Sequence, residues 1–98
     1  MTTLSNFKAS LNSEQPDNNF SVQLKSLWYD GKGNWQQAHA QVDSETDRPS
    51  AWVHAYLHRK EGDIWNADYW YNRAKQTRPN VSLEKEWEAL VIHFLHQN

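Results

Sequence analysis

An all-α fold of antiparallel helical hairpins is predicted by three features of this 98-residue chain. The first is a pair of helix-length segments, 50–61 and 64–76, divided by Gly62-Asp63 and followed by Pro79. The second is an apolar stripe, Leu83, Trp87, Leu90, Val91 and Phe94, with the spacing of one helix face. The third is an internal echo. Gly33-Asn34-Trp35-Gln36-Gln37-Ala38 parallels Gly62-Asp63-Ile64-Trp65-Asn66-Ala67 at a separation of 29 residues. In both copies a glycine turn, a capping residue, a large apolar residue and an inward alanine follow in order, the mark of one supersecondary unit used twice.

Each element has a local cause. Residues 1–19 are polar, with Pro16-Asp17-Asn18-Asn19 as a turn. Leu4, Phe7 and Leu11 are spaced for a short docked helix, the alternative being a partly flexible segment. A single helical domain is expected over 20–98. Its first helix carries Val22, Leu24, Leu27 and Trp28 and stops in Asp30-Gly31-Lys32-Gly33, where two glycines allow the turn. Asn34 caps the next helix, whose one face is Trp35, Ala38, His39 and Val42. Ser44 to Arg48 is a polar connection, and a helix follows from Pro49 or Ser50 to Glu61, ended by Gly62. Asp63 caps a further helix reaching about Gln76, with Arg78-Pro79-Asn80 as its stop. Ser82 caps the last helix, which runs toward Gln97 with Glu84 and Glu86 at its start and His93 and His96 near its end. This amphipathic helix is expected to close the domain.

Six Trp, four Tyr and three Phe stand within a hydrophobic content of 38%, so the core is predicted to be aromatic rather than aliphatic. The chain has no cysteine, which removes disulfides and thiolate ligands and fits a reducing cytoplasm. The amino terminus lacks the regions of a secretory signal, and no apolar run approaches the roughly 20 residues of a membrane span. Formal net charge is −2, and Arg48, Arg59, Lys60, Arg73, Lys75 and Arg78 are interleaved with Glu45, Asp47, Glu61, Asp63 and Asp68. No basic stripe results, so neither nucleic acid nor membrane is an expected partner. Gly31-Lys32-Gly33 is too short to cradle a phosphate, no nucleophile motif occurs, and no cofactor is implied.

Gly62, Ala67, Tyr71, Ala74 and Pro79 resemble the second half of a tetratricopeptide repeat position for position. The first half departs: Ala51, His54, Ala55 and His58 stand where a bulky residue, leucine, glycine and tyrosine are usual. The resemblance implies about two repeats, the first shortened against the usual period of about 34 residues. The segment His54 to Asp63, with Asn66 to Ala74, the Gly33-Asn34-Trp35 turn and Glu86-Trp87-Glu88, is similar to a family of small uncharacterised microbial proteins over residues 20–95. That second resemblance implies the fold and a single domain, and no activity.

Three constellations are candidates for function. His54, His58 and Glu61 fall on one narrow helix face, where two imidazoles on successive turns can share a metal ion with Glu61 as an oxygen ligand. His39 on the preceding helix would complete the set, and a histidine tuned by Glu61 is alternatively a general base. The competing reading is structural: histidines packed near Ala67, Tyr71 and Ala74, bonded to Glu61, Tyr71 or backbone carbonyls. Trp52, Tyr56, Arg59 and Lys60 lie on the opposite side of that helix. In tetratricopeptide repeats the equivalent positions line a groove for an extended peptide, with the cations gripping a carboxylate. The competing reading there is packing plus a solvated edge. Trp65 and Tyr69 form an outward aromatic pair, either covered by the last helix through Trp87 and Phe94 or used as a dimer or partner interface. The sequence thus points to a protein or peptide interaction module, with self-association as a further expectation, rather than an enzyme; the alternative is a metal- or small-ligand-binding protein, or an enzyme, built on His54, His58 and Glu61.

Overall fold

The computed structural model describes residues 3–97; Met1, Thr2 and Asn98, which fall within the segments anticipated above, lie outside the described residues. Six helices are present and no strand among the described residues: α1 Leu4–Ser10, α2 Val22–Gly31, α3 Trp35–Val42, α4 Arg48–Glu61, α5 Ile64–Arg73 and α6 Leu83–Leu95. Every helix starts on a polar cap. Thr3, Ser21, Asn34, Asp47, Asp63 and Ser82 each accept the backbone N–H three residues on, a contact worth about 1 kcal/mol. No helix is long and apolar enough to cross a membrane among the described residues.

Two helix ends differ from expectation. Asp47 rather than a later residue caps α4, so Arg48 joins the helix and Pro49 takes its first turn, where no backbone N–H is needed. At the other end, α5 stops at Arg73, not near Gln76. Lys75 adopts a left-handed backbone (φ 61°), and the Gln76 N–H closes onto the Tyr71 carbonyl at 2.9 Å. The helix is therefore ended by a non-glycine left-handed residue, well ahead of Pro79.

α2 and α3 form one hairpin and α4 and α5 the other; α3 lies on α4, and α6 crosses α2 and α4. α1 docks against α6 through Phe7, which is fully buried between Phe20 and Trp87. The main core collects Phe7, Leu27, Trp28, Leu57, Trp87 and Leu90, and a smaller cluster of Ala55, Ala67 and Tyr71 joins α4 to α5. α6 does not cover α5 as expected. Trp87 and Phe94 belong to the main core, where Trp87 donates its indole N–H to the Leu27 carbonyl at 2.9 Å.

Two buried carboxylates fix α4 among its neighbours. Asp30 on α2 accepts the Tyr56 hydroxyl at 2.6 Å and the Lys60 ammonium at 2.8 Å. Glu86 on α6 accepts the Tyr71 hydroxyl at 2.5 Å and the Arg59 guanidinium at 2.7 Å. Arg59 also donates to the Val81 carbonyl, which ties down the chain entering α6. Burial and the adjacent carboxylates push both tyrosine hydroxyls well above their ordinary range, so they remain donors.

Glu86→Ala should cost about 3 kcal/mol in urea denaturation, because it strands Arg59 and Tyr71 together. Lys75→Gly should stabilise by about 0.5–1 kcal/mol in the same assay, since glycine enters the left-handed region without a Cβ clash.

Candidate functional site

The helical repeat sets His54 and His58 one turn apart on α4, and the hairpin packing brings His39 of α3 across to them. The three rings form a compact cluster with centroid separations of 4.7, 4.8 and 5.4 Å. His39 Nε2 and His54 Nε2 are 3.0 Å apart. One ring nitrogen from each of the three lies within 4.8 Å of the others. His54 is buried, whereas His39 and His58 are half-buried and reach the surface. Tryptophans hold the rings in place. Trp35 stacks on His39 at 4.9 Å, and Trp70 stacks on His54 at 4.0 Å.

The neighbouring carboxylates set the tautomers. Glu61 Oε1 is 2.6 Å from His58 Nδ1 and as a carboxylate only accepts, so His58 carries a hydrogen on Nδ1 and the neutral ring has its lone pair on Nε2. Asp43 Oδ2 lies 3.8 Å from His39 Nδ1, too long for a hydrogen bond, and its negative charge favours the His39 hydrogen on that side. In the short contact between the two Nε2 atoms one ring donates and the other accepts, and with the His39 hydrogen on Nδ1 the donor is His54. This leaves His54 Nδ1 as a buried nitrogen with no hydrogen-bond partner. Burial first, and the neighbouring His39 and His58 second, lower the His54 pKa to about 4. Burial also lowers that of His39, with His58 adding to it.

Of the sequence candidates, His54, His58 and Glu61 come together, and His39 joins them. Tyr71 does not: its hydroxyl goes to Glu86 rather than to a histidine. A second cluster, His58, Glu61 and Asp63, shares His58, but Asp63 is engaged in capping α5 through Asn66.

The four residues assigned to a peptide groove are not brought together on an open face. Tyr56 is 2% exposed and turns inward to Asp30. Lys60 pairs with that same carboxylate, and both residues border a cavity of about 410 Å³ shared with Leu11, Leu83 and Trp87. Arg59 turns instead to Glu86. Trp52 packs edge-on against His93 and Phe94 of α6. The carboxylates that recruit these side chains were missed in the sequence. Local sequence does not single them out, because Glu86 stands among Glu84, Lys85 and Glu88, and Asp30 sits in the turn that ends α2.

The third constellation lies open. Trp65 is 78% exposed and stacks on Tyr69 with centroids 6.4 Å apart, with Ile64 exposed beside them. Arg73 places its guanidinium over Tyr69 and Trp70, at 5.8 and 5.4 Å from the ring centroids. α5 packs on α4, and α6 meets α5 through the Glu86–Tyr71 bond without covering Trp65.

The depressed pKa of His54 has a signed consequence. The unfolded chain protonates this residue near 6.5 and the folded chain near 4, so protons in that window favour unfolding. Stability should fall by on the order of 2–3 kcal/mol as pH drops from about 6.5 to about 4. Urea denaturation across this range should show a flatter profile for His54→Gln. No protein-family model matches the chain, and neither does any curated protein or solved structure.

Proposed function

We propose that this protein is a cytoplasmic, non-enzymatic interaction module of tetratricopeptide-like hairpins that receives an amphipathic helix of a protein partner on the outer face of α5. The observation that carries this reading is the exposure of the stacked Trp65–Tyr69 pair, with Ile64 at 40% exposure beside it. Exposed apolar patches of this kind mark contact sites, and Trp and Tyr dominate the energetics of interfaces. Both rings are rigid side chains, already stacked on each other, so ordering them on binding costs little entropy.

A helix is favoured as the occupant by the echo between the hairpins. Ile64 takes the position that Trp35 holds in the first unit. Trp35 is covered by the next hairpin, with its indole N–H donating to the Leu57 carbonyl at 2.8 Å. After the second unit the chain turns back to pack α6 on α2 and α4, so no hairpin follows over Ile64. Arg73 and the Asp68–Arg78 ion pair flank the aromatic strip with both signs of charge, suited to the polar border of an amphipathic segment. This contact face replaces the groove of Trp52, Tyr56, Arg59 and Lys60, whose polar groups are already committed within the fold.

A photo-crosslinking phenylalanine analogue at position 69, with position 36 as control, tests the reading in the native host. A crosslink from 69 but not 36 to a helical segment of another protein, abolished by Trp65→Glu, is expected. Crosslinks to copies of this chain alone, or equal yields at the two positions, would overturn it. Trp65→Glu should leave stability within about 0.5 kcal/mol of wild type, because the position is at the surface.

A further inference from the structure

We propose that His39, His54 and His58 bind one divalent transition-metal ion of the zinc, cobalt, nickel or copper class, clamped between α3 and α4. The site is independent of the α5 face and rests on different residues.

The first argument is convergence. Tetrahedral coordination at about 2.0–2.1 Å sets ligand nitrogens roughly 3.3 Å apart. The cluster supplies one pair at 3.0 Å and keeps all three candidate nitrogens within 4.8 Å, so side-chain adjustment within the cluster completes the set. The second argument is tautomer control. A ligating histidine usually gives its other ring N–H to a carboxylate, which fixes the ring and raises its basicity. Glu61 does this for His58 at 2.6 Å, and Asp43 sits on the corresponding side of His39.

The third argument is that hydrogen bonding alone does not account for the cluster. His54 is 4% exposed, yet its only bond is to another imidazole and its Nδ1 has no partner. An apolar side chain stacked on Trp70 would fill the same place without that unmet polar atom, which costs about 1–3 kcal/mol. A metal ion held by the Nε2 atoms of His39 and His54 would replace their mutual hydrogen bond, the His54 hydrogen moving to Nδ1, and His39 and His58 are half-buried rings within reach of solvent.

The ligand chemistry selects the metal. Three neutral imidazoles suit borderline ions and disfavour magnesium and calcium, which require oxygen ligands. Glu61 is engaged with His58 as its orienting partner, so a fourth position falls to water or to a ligand from outside. Glu61 is thus a positioning residue, and binding would lock the first hairpin to the second.

Titration of the untagged protein with Co²⁺, followed by Zn²⁺ competition, reads the site directly. One Co²⁺ per chain with the intense visible absorption of four-coordinate cobalt is expected, together with altered emission from the Trp35 and Trp70 stacks and a Zn²⁺-dependent rise in melting temperature. His39→Gln and His58→Gln should each weaken binding at least about tenfold, and Glu61→Gln by about tenfold. Both histidines are half-buried, so these variants keep the fold if His54→Gln does not. His93→Gln, on α6, should bind as wild type. Absence of a one-to-one cobalt complex, or equal affinity in wild type, His39→Gln and His58→Gln, would overturn the proposal.

Discussion

Helix α4 is pinned by two buried carboxylates, Asp30 and Glu86, and the arrangement of the other helices follows from that. Neither carboxylate could remain in the interior unaccompanied, because an unpaired buried charge costs several kcal/mol. Adjacent residues of α4, Arg59 and Lys60, diverge to the two sites and neutralise one each. Tyr56 and Tyr71 complete the two sites with hydroxyl donors. The matched pairs set the rotation of α4 against α2 and the seating of α6, which apolar contacts alone would leave free to slide.

This use of α4 decides where function can reside. The side bearing Tyr56, Arg59 and Lys60 is consumed by the carboxylates, and the side bearing Ala55 is sealed against Ala67 and Tyr71. What remains is the histidine face between them, open at His58 and faced by His39 from α3. The proposed partner contact therefore lies off α4, on the helix that packs on it from outside.

Much of the local grammar of the chain was legible. Caps at Asn34, Asp63 and Ser82, and the helix-ending Gly62, depend on residues within one turn, so sequence alone locates them. Lys75 was not, because a lysine in the left-handed region defies its own propensity and is held there by the bond from Gln76 to Tyr71. The histidine cluster was half legible. The spacing of His54 and His58 is a helical fact, whereas their meeting with His39 depends on how two hairpins stack. Asp30 and Glu86 were invisible as partners, since 26 residues separate Asp30 from Tyr56 and 27 separate Arg59 from Glu86. The docking of α6 on the main core, rather than on α5, follows from those long-range pairs and was missed with them.

The tryptophans make the case for α5 by their division of labour. Trp28, Trp35 and Trp87 each donate an indole N–H to a backbone carbonyl outside their own helix, of Ser10, Leu57 and Leu27. Trp70 supports His54, and Trp52 packs against α6. Each of these five buries ring area and joins two elements. Trp65 does neither: it lies outward, touches Tyr69 of its own helix, and leaves its ring in water. A chain that employs its other tryptophans as fasteners between helices has one whose second element is missing from the fold. Exposing so large an apolar ring forfeits about 2 kcal/mol of burial that an inward position would provide. The simplest physical account is that the missing element comes from another molecule, and that the ring is already set, by its stack on Tyr69, to receive it.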